Sequence, residues 1–178
     1  MEIIKTNFQD LFLMNYSSFN DNRGEFVKTI HAETFQHHGL EHQFSESFYS
    51  VSKKNVIRGM HFQIAPADHV KLVYVITGAI LDVVLDIRKE STTYGEFFSV
   101  ILNSNNRKGI YIGKGFAHGF LSLEDNTTVE YHTSTSQDRS LEGGIRYDSF
   151  GFEWNIDEPI LSVRDQEFIS FLEFKSKA

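Results

Sequence analysis

VKLVYVITGAILDVVLDIR, residues 70–88, consists of two runs rich in β-branched and aliphatic side chains divided by Thr77-Gly78. Such runs fit a pleated, buried surface, and Thr-Gly supplies a chain reversal, so the stretch predicts two antiparallel strands. Apolar residues fall on both faces of each run, the pattern of strands covered on both sides. Outward from here the same pattern repeats in SFYSVSK, NVIRGMHFQ, EFFSVIL, GIYIG, GFLSL and TVEYHTS, with further turn signals at residues 103–106 and 124–126. Short strands at this spacing predict an all-β sandwich or barrel in which those turns join antiparallel neighbours. Short helices are expected at residues 32–38 and 164–174, the second following a Ser162 cap, with Phe168, Ile169, Phe171 and Leu172 at helical spacing.

At 178 residues, two-fifths of them hydrophobic, the chain suffices for one domain with a buried core, and no Gly/Ser-rich or Pro-rich linker divides it. Its 17 Phe and 7 Tyr favour half-buried pleated surfaces and lined cavities. The lack of Cys excludes disulfides, thiolate metal sites and a cysteine nucleophile, and it suits a reducing cytoplasm. The first fifteen residues hold no basic region followed by an apolar stretch, so no secretion signal or membrane span is predicted and a soluble, cytoplasmic location is expected. A net charge of -7 argues against a general nucleic-acid binder, which needs a basic face. It leaves room for an anionic small substrate held by a few arginines.

Lys71 is anomalous, because it interrupts a strand whose other residues are apolar on both faces. Two placements are open: a lysine at the strand's start with its head in solvent, or an ammonium that pairs with an acid or faces a polar cavity. His61 shares a side with Gly59 and Gln63, which implies a polar inner face, while strict alternation sets Arg58 opposite. Both reach one site only where the strand twists or bulges between them. His118 is flanked by Gly113, Gly115 and Gly119, which let backbone or ligand come close, or simply form a turn. Alternation groups Val129, Tyr131 and Thr133 on one face and Glu130 and His132 on the other, pointing the Tyr131 phenol inward. His31, His37, His38, His42, His69 and His132 have no ligand-like grouping and receive no role.

Together the segments resemble the dTDP-4-dehydrorhamnose 3,5-epimerase family of cupins over nearly the whole chain. The resemblance rests on DNRGEF (residues 21–26), NVIRGMHFQ, residues 71–88 as a central hairpin, STTYG, GFAHGF, EYHTS, EGGIRYDSFGFEW and LSVRD. It implies a cupin-type jelly-roll barrel, a double-stranded β-helix, with short flanking helices. It also implies inversion of carbons beside the C4 ketone of a nucleotide-diphosphate sugar, through an enolate. His61 is then the base, oriented by Asp165, and Tyr131 the acid on the opposite sugar face. Lys71 and His118 surround the C4 oxygen and the sugar, Arg23 and Arg58 hold the diphosphate, and Phe26 stacks on or lines the base pocket. No metal or other cofactor is expected, because His61-Phe62-Gln63 replaces the His-x-His of a cupin metal site and Lys71 would repel a cation. A homodimer is implied, with an N-terminal strand exchanged and residues 23–28 serving the partner's site.

Three departures fall in the nucleotide-reading part. Glu46-Ser47-Phe48 stands where the family usually has Gln-x-Asn, and Lys28 where it has an acid. Glu46 accepts hydrogen bonds but cannot donate them, which suits the N–H edge of guanine, so a GDP-linked sugar is expected ahead of CDP or dTDP. Gln137 stands near the place of a second tyrosine, which bears on whether C3, C5 or both are inverted. The alternatives are a 3,4-ketoisomerase or C3-only epimerase on the same scaffold, and a non-catalytic sugar-nucleotide binder. An acid and base on opposite faces argue against the last.

Overall fold

Alternation of inward and outward side chains sorts the predicted strands into two layers. The computed structural model describes the backbone of residues 1–177 and the side chains of residues 1–175. In chain order come β1 (Glu2–Lys5), β2 (Leu11–Asn15), β3 (Ser18–Asp21), β4 (Gly24–Val27), α1 (Ala32–His37), β5 (Glu46–Ser52), β6 (Ile57–Gln63), β7 (Lys71–Thr77) and β8 (Ala79–Asp86). There follow β9 (Phe97–Asn103), β10 (Lys108–Ile112), β11 (Phe116–Ser122), β12 (Thr127–Thr133), β13 (Glu142–Gly144), α2 (Val163–Gln166) and α3 (Phe171–Lys177). A six-stranded sheet, β1-β2-β10-β7-β12-β5, faces a five-stranded sheet, β13-β6-β11-β8-β9, and β3 and β4 form a separate ribbon. This is the expected all-β jelly roll with short flanking helices, its two sheets facing each other without closing into one continuous barrel.

The central residues 70–88 correct one expectation. β7 lies in the six-stranded sheet, between β10 and β12, whereas β8 lies in the other, between β11 and β9, so they form no hairpin. The turns at residues 103–106 and 124–126 likewise carry the chain from β9 to β10 and from β11 to β12, across the sandwich. A turn residue fixes that the chain reverses, not which strand it meets. From β5 onward successive strands land in opposite sheets, except β8 and β9, which pair with each other.

Three apolar layers account for strands that are hydrophobic on both faces. Val73 and Val75 of β7, Ile80 and Val84 of β8 and Val129 of β12 fill the space between the sheets. The outer face of the five-stranded sheet, with Ile57, Val83 and Leu85, is covered by Ile145, Phe150, Trp154 and Phe171. The outer face of the six-stranded sheet, with Met14, Leu72 and Tyr111, is covered by Phe35 of α1. Lys71 shares its face with Val73 and Val75 and therefore points between the sheets.

The expected C-terminal helix is two helices. Ser162 caps α2 as anticipated, accepting from the Asp165 N–H. Ile169 then leaves helical geometry to bridge Ile145, and its carbonyl accepts the Arg146 N–H at 2.9 Å. Among the described residues no helix is long and apolar enough to cross a membrane.

Candidate active site

Arg58 and His61 do reach one site, and Gly59 is the reason. His61 is registered with His118 and Arg58 with Phe120, so three steps along β6 match two along β11. That bulge lets both side chains face the same cavity, while Ile57 and Met60 point to the outer layer. Gly59 adopts φ +135, and a Cβ there would lie 2.5 Å from the Gly119 Cα. Only glycine meets both conditions.

The cavity, of about 300 Å3, opens between the sheets. β6 and β11 contribute Arg58, His61 and His118 from one sheet; β5, β7 and β12 contribute Glu46, Lys71 and Tyr131 from the other. His61 Nε2 lies 2.8 Å from Asp165 Oδ1, and the second Asp165 oxygen accepts the Gly59 N–H at 3.2 Å. Asp165 reaches this spot because Ser162 starts α2 beside β6, burying the carboxyl at the helix's first turn. Burial alone raises its pKa, but the bonds from His61 and Gly59 and the nearby imidazole outweigh burial and hold it below the usual carboxylate range. With Nε2 engaged, Nδ1 is the imidazole nitrogen left to accept a proton.

Across the cavity Tyr131 stacks on Phe48 at 4.9 Å between centroids, and its hydroxyl lies 3.2 Å from Ser50 Oγ. Burial pushes the phenol well above its ordinary pKa, so it is protonated at neutral pH. Lys71 is half-buried at the cavity wall, and desolvation brings its ammonium down to about 8 against the opposing pull of Asp82 and Glu142. His118 donates or accepts at Nε2 with Asp82 Oδ2, 2.8 Å away. Desolvation lowers its pKa further than Asp82 raises it, which leaves the ring neutral.

Of the expected site residues, the chain brings together His61, Asp165, Lys71, Tyr131, His118, Arg58 and Glu46. It does not bring Arg23, Phe26 or Lys28 to this cavity. Arg23, on the turn of the β3–β4 ribbon, pairs with its own neighbour Asp21, Phe26 is 60% exposed against Phe19, and Lys28 lines a surface groove with Met1 and Phe19. The Glu46 carboxylate lines the cavity and accepts the Gln137 N–H at 3.1 Å, so it does not simply face solvent.

Sequence reasoning missed three contributors. His69, left without a role, lines the cavity, and desolvation first and the Lys71 charge second bring it down to about 4. Glu142 lines it as well, gripped at both oxygens by Arg164. Asp82 was masked by its hydrophobic strand, though its alternation with Ile80 and Val84 on the inner face was a usable signal. Among the described residues no group of three or more His, Cys, Asp or Glu side chains is placed to hold a metal ion.

The comparisons with known proteins agree with this geometry. A family model described as dTDP-4-dehydrorhamnose 3,5-epimerase matches residues 5–173. The chain is 35% identical to the dTDP-4-dehydrorhamnose 3,5-epimerase of Shigella flexneri, covering 95% of this chain and 97% of that one. It is 38% identical to the enzyme of the same name from Methanothermobacter thermautotrophicus, covering 93% and 91%. The solved epimerase of Mycobacterium tuberculosis superposes with a TM-score of 0.95 at 31% identity, covering 99% of this chain and 92% of that one. With a family model matched over residues 5–173 and relatives 35% and 38% identical over nearly the whole chain, the protein belongs to the dTDP-4-dehydrorhamnose 3,5-epimerase family.

Proposed function

We propose that this protein epimerises a dTDP-linked 4-keto-6-deoxy sugar at C3 and C5 through an enolate. One observation carries the mechanism: His61 and Tyr131 belong to opposite sheets and face one cavity, so a sugar ring lying between them presents a different face to each. His61 Nδ1 removes the proton from a carbon beside the ketone, and the electron pair moves onto the C4 oxygen. Lys71, as ammonium, offsets that negative charge as it develops. The Tyr131 hydroxyl then returns a proton to the carbon from the other side. Arg58 holds the diphosphate with its forked donors.

The guanine expectation is withdrawn. The family model and both relatives carry dTDP in their names, and one oxygen of Glu46 is already taken by the Gln137 N–H, which leaves less of the carboxylate for guanine. Incubation in deuterium oxide with the same 4-keto-6-deoxy sugar on dTDP, GDP and CDP tests this. Two deuterons should enter the dTDP substrate, and uptake on the others should be at least about tenfold slower. A single deuteron would make the enzyme a one-carbon epimerase, and none on any nucleotide would turn the assignment to a binding protein.

The working unit is a homodimer in which the β3–β4 ribbon of one copy supplies Arg23, Phe26 and Lys28 to the cavity of the other. The exposed Phe19 and Phe26 on that ribbon, and the exposed Tyr49, Val51 and Ile76 on the six-stranded sheet, support it. Mixing Arg23→Ala with His61→Asn protein, each nearly inactive, should regenerate sites with both native residues and restore about a quarter of wild-type activity after subunit exchange, since half the dimers are mixed and each has one intact site. Failure to complement while the subunits demonstrably exchange would place Arg23 in its own chain's site or outside any.

A further inference from the structure

The inner face of β8 carries Ile80, Asp82 and Val84 in turn, so a carboxyl sits inside a wall of otherwise apolar side chains. Its side chain is fully buried, and it does not line the cavity. One oxygen, Oδ2, lies 2.8 Å from His118 Nε2; the other, Oδ1, has no hydrogen-bond partner among the described residues. A buried carboxyl left half-satisfied is costly, and packing alone would be served better by valine or leucine at this position.

We propose that Asp82 is a positioning residue for the proton-transfer site: from beneath the cavity it fixes the tautomer of His118 and keeps Lys71 in its ammonium form. This rests on the epimerase reading only for the use made of Lys71. The titratable groups facing Lys71 are Asp82 on β8, Glu142 on β13, His69 ahead of β7 and His118 on β11, with His61 on β6 and Tyr131 on β12 across the cavity. Glu142 is already compensated by the two-pronged Arg164, and Asp165 by His61. Asp82 is the acidic side chain of this group that has no Lys or Arg partner among the described residues, and it acts on Lys71. It opposes the desolvation that works against that ammonium.

For His118, a neutral ring next to a carboxylate carries its proton on the nitrogen that meets it. Nε2–H then donates to Asp82, and Nδ1 is an acceptor. His118 is thereby set to receive a hydrogen bond from a sugar hydroxyl or from Lys71, and it is not an acid that competes with Tyr131.

Asp82→Asn keeps the shape and removes the charge. In the wild type kcat/KM should fall as pH rises through the Lys71 ionisation, near 8. In Asp82→Asn that alkaline limb should move to lower pH by about one unit, a roughly tenfold loss above the limb, with activity at pH 6.5 kept within about threefold. A uniform loss at every pH, with the limb unmoved, would overturn the proposal and leave Asp82 a packing residue. The imidazole 15N spectrum of His118 gives a reading that does not depend on turnover. The wild type should show the Nε2–H tautomer, and finding Nδ1–H would overturn the proposal even if Asp82→Asn did not fold. An enzyme inactive on all sugar nucleotides but with His118 as Nε2–H would instead refute the epimerase reading and retain the Asp82–His118 arrangement.

Discussion

Replacing His61 by asparagine is expected to lower turnover by about three orders of magnitude, the middle of what a positioned general base contributes, while sugar-nucleotide affinity stays within about tenfold. The division follows from where His61 sits. Its Nε2 is committed to Asp165 and its Nδ1 is left for the sugar, whereas the diphosphate is assigned to arginine. Asparagine is too short to reach Asp165 as Nε2 does, but the Gly59 N–H still serves that carboxylate, so it is not stranded and the fold should survive. Turnover measured beside calorimetric titration with dTDP separates the two quantities. A binding loss as large as the rate loss would make His61 part of the nucleotide clamp.

Tyr131→Phe should have the second largest effect, and of a different kind. The ring remains stacked on Phe48 and the volume hardly changes, but the proton source on that side of the sugar is gone and Ser50 loses its partner. His61 can still remove the substrate proton and give it back to the same face. Recovered starting material should therefore gain deuterium from solvent while inversion slows by at least about a hundredfold. Mass spectrometry of the recovered sugar and proton NMR of the product read the two events independently. Epimerisation at the normal rate would take Tyr131 out of the acid role.

Strand positions were legible in the sequence because short β-branched and aromatic runs are bounded by turn residues, and period-two alternation shows where one face of a strand is polar. Val129, Tyr131 and Thr133 fall on one buried face, as the pattern requires, and Lys71 shares its face with Val73 and Val75. Pairing was not legible. Thr77-Gly78 states a reversal, and whether β8 turns back onto β7 or crosses to the other sheet depends on contacts with strands far along the chain. The Gly59 bulge left a trace, a glycine inside a strand, and alternation alone set Arg58 against His61 until that residue was seen at φ +135. Asp165 was assigned to His61 only through family resemblance, since nothing local in LSVRD points to a partner 104 residues earlier. Arg23, Phe26 and Lys28 lie outside the cavity of their own chain, and only the proposed dimer gives them a place in a site.

The crossing of successive strands between sheets also governs when the protein can begin to work. Residue 108 pairs with residue 15, and residue 127 with residue 52, so long stretches of chain must be enclosed before either contact can form. The cavity needs β6 and β11 from one sheet, β7 and β12 from the other, and then a helix that arrives only at residue 163. A ribosome must therefore release the chain through at least residue 165 before His61 meets Asp165. Until then the nascent chain carries His61 without the carboxylate that orients it, and under the proposed mechanism it has no working base.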